Sequence, residues 1–221
     1  IAAHLLEAAP ADLAIADGGV FVRGVQSRAI TLVDIARVAH LETHRLPRDV
    51  EPGLEATRFY DPIHGTFAAG SQAAVVEVDF ETGKCHIRRY VCVEDTGRVI
   101  NPLIVDGQVQ GALAQGIGGA LFEHLVYDAA GQLLTGTFMD YALPVATAIP
   151  PFDLDHVEEP AQNLLGVRGV GEGGTLGPAG ALANAVADAL APFGVEANEL
   201  PLTPDRLWAM LHSGSRGVGN K

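Results

Sequence analysis

The chain has 221 residues, 48% of them hydrophobic, which is enough apolar material to bury the core of one large domain or two small ones. Acidic residues outnumber basic ones 27 to 14, for a formal net charge of −13, and no basic run occurs, so a partner with a phosphodiester backbone is excluded and no nucleic acid is expected. No apolar stretch approaches the roughly 20 residues of a membrane span.

In chain order, residues 1–8 read as a helix, and the absence of an initiating methionine suggests a truncated or processed piece. Leu13-Ala14-Ile15-Ala16 and Val20-Phe21-Val22 flank Asp17-Gly18-Gly19 as a tight hairpin. Thr31 with Asp34 three positions later resembles a capping box and predicts a helix through Ala39. Residues 1–50 thus form a helix, hairpin and helix segment. The Pro-, Gly- and charge-containing connector 47–65 is the candidate boundary with a second segment, 51–221.

From Gln72 the pattern changes to period two. Ala74, Val76, Val78 and Phe80 share one face, and Glu81-Thr82-Gly83-Lys84 turns into a second strand over 85–93. Cys85 and Cys92 lie in that strand, seven residues apart, on opposite faces and roughly 23 Å from each other. They cannot bridge, which fits a reducing, cytoplasmic compartment.

Asn101-Pro102 reads as the N-cap and first position of a long helix to residue 124. Gly107, Gly111, Gly116, Gly118 and Gly119 fall inside it, each costing about 1 kcal/mol against Ala. Either tight helix packing or the close approach of a ligand would account for them. A small hairpin follows around Asp128-Ala129-Ala130-Gly131, then a strand over 152–157 and a closing helix over 204–212, with 213–221 frayed. Antiparallel strands interspersed with helices predict an α+β fold, layered, with mixed or antiparallel sheets and packed helices.

Two segments carry candidate chemistry. Gly169, Gly171 and Gly174 satisfy G-x-G-x-x-G, and Glu196 follows about twenty residues later as in a nicotinamide-binding fingerprint. Residues 160–165 do not read as the buried strand that such a motif requires. Within the same run Glu172 is a lone carboxylate in a frame of bare backbone, either a general base or a cap on the helix that follows. The turn Glu94-Asp95-Thr96-Gly97-Arg98-Val99-Ile100-Asn101-Pro102 either offers a helix N-terminus to an anion or is an ordinary strand-to-helix connection. His40 and His44 lack the H-E-x-x-H order, the cysteines lack C-x-x-C spacing, and G-x-S-x-G is absent. No metal ligands from side chains and no serine nucleophile are expected.

Taken together, Asp95-Thr96-Gly97-Arg98-Val99-Ile100-Asn101-Pro102, Gly107-Gln108-Val109-Gln110-Gly111 with Gln115-Gly116, and Gly171-Glu172-Gly173-Gly174 before Ala183-Asn184-Ala185-Val186 resemble the molybdenum hydroxylases. This is the family of xanthine dehydrogenase, aldehyde oxidase and aerobic carbon monoxide dehydrogenase. The resemblance covers nearly the whole chain and corresponds to the C-terminal part of the large subunit. It implies that 51–221 is a molybdopterin-binding domain and that the cofactor is molybdopterin with molybdenum, in the cytosine dinucleotide form usual in bacteria. It also implies FAD and 2Fe-2S clusters on partner subunits, the N-terminal part of the large subunit as partner, a small-molecule substrate and a dimer of the complete complex.

By the same resemblance Glu172 is the base that takes the proton from a molybdenum-bound hydroxide, as water-derived oxygen is added to an electron-poor carbon. Gln115, Gly171, Gly173, Thr96, Asn101, Gln108 and Arg168 become cofactor-binding candidates. Arg168 departs from the lysine that relatives often carry, and a guanidinium fork binds differently from an ammonium. Because the rest of the cofactor cradle lies upstream in this family, the resemblance implies that the chain alone is inactive. Two alternatives stand beside this reading: an isolated cofactor-binding module without catalysis, and a nicotinamide-dependent dehydrogenase using Gly169 to Gly174.

Overall fold

The computed structural model of the chain describes residues 1–62 and 64–218. Two compact units are present, Ile1–Asp61 and Pro62–Lys221, and they divide inside the connector 47–65. In the first unit, β1 (Leu13–Ala16), β2 (Gly19–Val22) and β3 (Val25–Thr31) form an antiparallel sheet in that order. Asp17 and Gly18 have φ of 49° and 74°, the pair of left-handed residues that a two-residue hairpin turn needs. The third strand carries no sequence signal because its residues are almost all exposed and show no apolar alternation. The first helix, α1 (Ala2–Leu5), is shorter than the expected 1–8. The second, α2 (Leu32–His40), begins as expected: Thr31 Oγ1 accepts from Asp34 N at 3.0 Å, and Ile35, Val38 and Ala39 are buried.

The second unit is a two-layer α+β structure. β4 (Ala69–Val78) and β5 (Cys85–Asp95) pair antiparallel, and β6 (Phe152–Val157) adds parallel to β5, giving a mixed sheet of order β4-β5-β6. The helices α3 (Pro102–Leu121), α4 (Gly173–Leu190) and α5 (Pro204–Val218) complete the unit. Tyr90 and Cys92 of β5, Val109, Leu113 and Ile117 of α3, and Leu182, Val186 and Leu190 of α4 form one core. The last two sets recur at four-residue spacing, so one stripe of each helix faces inward.

Two expectations are corrected here. Val75 pairs with Arg89 but Val76 pairs with Ile87, so Arg88 is an extra residue in β5, a β-bulge. The bulge reverses the alternation between Cys85 and Cys92. Both thiols therefore pack toward the same core, Cys92 within it and Cys85 against it, rather than on opposite faces. Both are free, and burial pushes them up to about 11 and about 12 respectively. The second correction concerns the small hairpin after α3, which is reduced to a single bridge between Tyr127 and Leu133.

The remaining elements follow the sequence closely. α3 starts on Asn101, whose Oδ1 accepts from Ile104 N at 3.4 Å, with Pro102 in the first turn, and it ends at Leu121 rather than residue 124. α5 runs beyond 212 to Val218; of the tail expected to fray, 219–221 lie outside the described residues.

Candidate functional site

The five glycines of α3 divide by what surrounds them. A Cβ at Gly116 would stand 2.6 Å from Pro178 Cγ and 2.9 Å from the Thr175 carbonyl oxygen, and one at Gly118 would meet the Pro144 ring at 3.0 Å. These two serve packing. Gly107, Gly111 and Gly119 face open space and lie with Gln108 and Gln115 on the exposed side of the helix. Their spacing of four and eight residues makes a bare stripe along one face. Packing does not require them.

The start of α4 lies on the middle of α3, since a Cβ at Gly174 would be 3.0 Å from both Ala112 Cβ and the Val109 carbonyl oxygen. Glu172 occupies the N-cap position of α4 but makes no capping hydrogen bond. It is exposed, and among the described residues its carboxylate has neither a hydrogen bond nor an ion pair. The capping role that would explain it structurally is therefore unfilled. Gly169 and Gly171 beside it face open space. Among the described residues no strand runs between β6 and α4, only a single antiparallel bridge from Gly97 to Val167. The strand that must precede the turn and helix of a nicotinamide-binding fold is thus missing among the described residues, and that alternative falls.

The other expected residues are distributed as follows. Gln108, Gln115, Asn101 and Gly171 are exposed, Asn101 being committed to its cap. Thr96 is buried at 3% exposure, its Oγ1 without a partner among the described residues, and its carbonyl accepts from Arg168 N at 2.9 Å. Arg168 is tied down on several sides: an ion pair to Asp95 at 3.3 Å and donation to the carbonyls of Phe67 at 3.0 Å and Glu159 at 3.3 Å. Its fork braces the loop that leads into the Glu172 run.

Two residues under this loop have roles that the sequence reading did not assign. Glu94 is 2% exposed; its Oε1 accepts from the Cys92 thiol at 3.6 Å and its Oε2 has no partner among the described residues. Gly173 lets it come close, because a Cβ there would lie 3.1 Å from Oε2. Burial pushes the Glu94 carboxyl up, opposed by the Cys92 hydrogen bond and by His156, its register partner on β6. His156 Nε2 in turn meets Asp106 Oδ1 at 2.7 Å, joining β6 to α3. Gln72 is the second, with its amide against the first turn of α4. Both sit on inward positions of their strands, and a polar residue at an inward position was the available signal. A cavity of about 310 Å³ opens beside them, lined by Gly70, Gln72, Glu94, Gly173, Gly177 and Asn184 among others.

Residues 1–150 match the family model of the molybdopterin cofactor-binding domain. The chain is 40% identical over 208 residues to the nicotine 6-hydroxylase large subunit of Paenarthrobacter nicotinovorans, covering 94% of this chain and 26% of that protein. It is 38% identical to the carbon monoxide dehydrogenase large chain of Hydrogenophaga pseudoflava, covering 96% and 26%. Among solved structures, quinoline 2-oxidoreductase of Pseudomonas putida 86 superposes with a TM-score of 0.86 at 38% identity, over 95% of this chain and 27% of that one. The chain thus spans about a quarter of the length of these relatives. With the family model matched over 1–150 and these likenesses over nearly the whole chain, it belongs to the molybdopterin cofactor-binding family of the molybdenum hydroxylases.

Proposed function

We propose that the chain forms one wall of a molybdopterin site in a larger oxidoreductase, which adds water-derived oxygen to an electron-poor carbon of a small molecule, with Glu172 as the general base. The observation that carries this reading is the Glu172 carboxylate, exposed and uncapped at the head of α4 beside the open glycines. Among the described residues no group of three or more His, Cys, Asp or Glu could hold a metal ion.

The open stripe of α3 is the face that fits a flat polar ring. Gln115 and Gln108 each present an amide able both to donate to and to accept from a pterin. Gly107 and Gly111 let the ring system approach the helix, and Gly171 and Gly173 keep the loop free of side chains. Asn101 and the Thr96 segment sit at the head of α3, where backbone N–H groups and the helix dipole favour the phosphates of a cytosine dinucleotide extension. Arg168 sets the loop from below. When bound, the cofactor supplies the two-electron oxidation. Glu172 contributes by accepting a proton from the oxygen nucleophile as the carbon–oxygen bond forms, which requires it to lie within about 2.6–3.2 Å of that oxygen.

Relatives named as large subunits or large chains support further subunits around this one, and we assign to them the FAD and 2Fe-2S clusters that carry electrons away. The remaining part of the large subunit supplies the facing wall, and the complete complex is taken to be a dimer in the cytoplasm. Metal and pterin-nucleotide analysis of the purified complete complex tests the cofactor assignment. Molybdenum with a cytosine dinucleotide pterin is the expected result, and an active preparation lacking molybdenum would overturn it.

A further inference from the structure

Pro178 lies inside α4. A helical carbonyl accepts from the N–H four residues later, and proline has no N–H. The Gly174 carbonyl, two residues after Glu172, therefore lacks its helical donor. Gln72 of β4 fills the gap, its Nε2 donating to that carbonyl at 3.2 Å. The amide is held in the required sense by Tyr90, which is fully buried and whose hydroxyl donates to Gln72 Oε1 at 2.6 Å. An amide turned the other way would set an NH₂ against the tyrosine hydroxyl and an oxygen against the Gly174 carbonyl.

Space is made for this arrangement at two glycines. A Cβ at Gly177 would lie 2.1 Å from Gln72 Cδ and 2.5 Å from its Nε2, so any side chain there expels the amide. Gly116 of α3 leaves room for the Pro178 ring in the same way. The first turn of α4 is thus gripped from α3 by close packing and from the sheet by one hydrogen bond.

We propose that Gln72, oriented by Tyr90, is a positioning residue for Glu172, acting through the Gly174 carbonyl that Pro178 leaves without a helical donor. This role rests on the reading of Glu172 as base. A base displaced by about 1 Å loses on the order of 100-fold in rate, so a single hydrogen bond at the turn that carries it controls kcat without touching substrate or cofactor.

The test is a double-mutant cycle in the complete enzyme complex. Gln72→Leu is expected to lower kcat by about tenfold or more, with KM and molybdenum content near those of the parent. Pro178→Ala restores an N–H that can satisfy the Gly174 carbonyl within the helix. In that background Gln72→Leu is expected to cost several-fold less. Equal losses in the two backgrounds, or no loss in either, would overturn the proposal. Should Gln72→Leu fail to yield loaded enzyme, Tyr90→Phe, which removes only the orienting hydroxyl, is put through the same cycle with the same expected coupling. Glu172→Gln is assayed alongside. If it is inactive while the cycle is additive, only the role of Gln72 falls; if it is active, the base assignment falls and this role with it.

Discussion

Glu94 illustrates what a single buried carboxyl does to a fold. It is enclosed between β5 and the first residues of α4, with one oxygen held by a thiol and the other unpaired among the described residues, and burial pushes it up. An acid whose folded-state pKa lies above its unfolded value binds more protons folded than unfolded between the two. Its contribution to stability is complete below the ordinary carboxylate range and is lost as the pH rises through the raised value. The loss amounts to about 1.4 kcal/mol for each tenfold difference in proton affinity between the two states. Glu94→Gln keeps the shape and cannot ionise. Denaturation midpoints followed upward from below the ordinary carboxylate range should therefore shift in favour of the variant as pH rises; parallel curves across that whole range would mean that Glu94 ionises in the folded state as it does in the unfolded one.

At the scale of elements, α3 carries two kinds of glycine whose substitution should act in opposite ways. Gly116→Ala forces a methyl against the Pro178 ring, and overpacking of this kind destabilises by about 1–3 kcal/mol. Gly111→Ala meets nothing and should stabilise the helix by about 1 kcal/mol. On the proposed reading that same methyl obstructs the cofactor. Denaturation midpoint and molybdenum content of the complete complex should then move in opposite directions for Gly111→Ala, and a stabilised variant with a full cofactor complement would remove the open face from the site. The helices themselves were legible because their starts are written in local chemistry, Thr31 with Asp34 and Asn101 with Pro102. The faces of β5 were not. One extra residue, Arg88, reverses the alternation, and neither its neighbours nor its own side chain announces a bulge. The exposed β3 was hidden for a related reason, since alternation records burial and that strand is hardly buried. Gln72 stood out only as a polar residue at an inward position, and its partner was hidden, because that partner is a carbonyl made available by a proline more than a hundred residues away.

For the molecule as a whole, the two units have their own sheets, and no helix among the described residues is long and apolar enough to cross a membrane. The family was legible in three short motifs spread along the chain; on the proposed reading these supply the bare backbone and the amides of the site. What the motifs did not reveal is how they are held together: the Asp95 and Arg168 pair under the loop, the His156 and Asp106 link from β6 to α3, and the Gln72 grip on α4. With about a quarter of the relatives' length represented, the proposed reaction belongs to the complete enzyme, and its central requirement is a base at one position. Turnover by the purified complete complex carrying Glu172→Gln, normalised to its molybdenum content, tests that requirement most directly. Loss of a general base is expected to lower kcat by about 100-fold or more with the cofactor retained, whereas turnover near that of the parent at full molybdenum content would contradict the assignment.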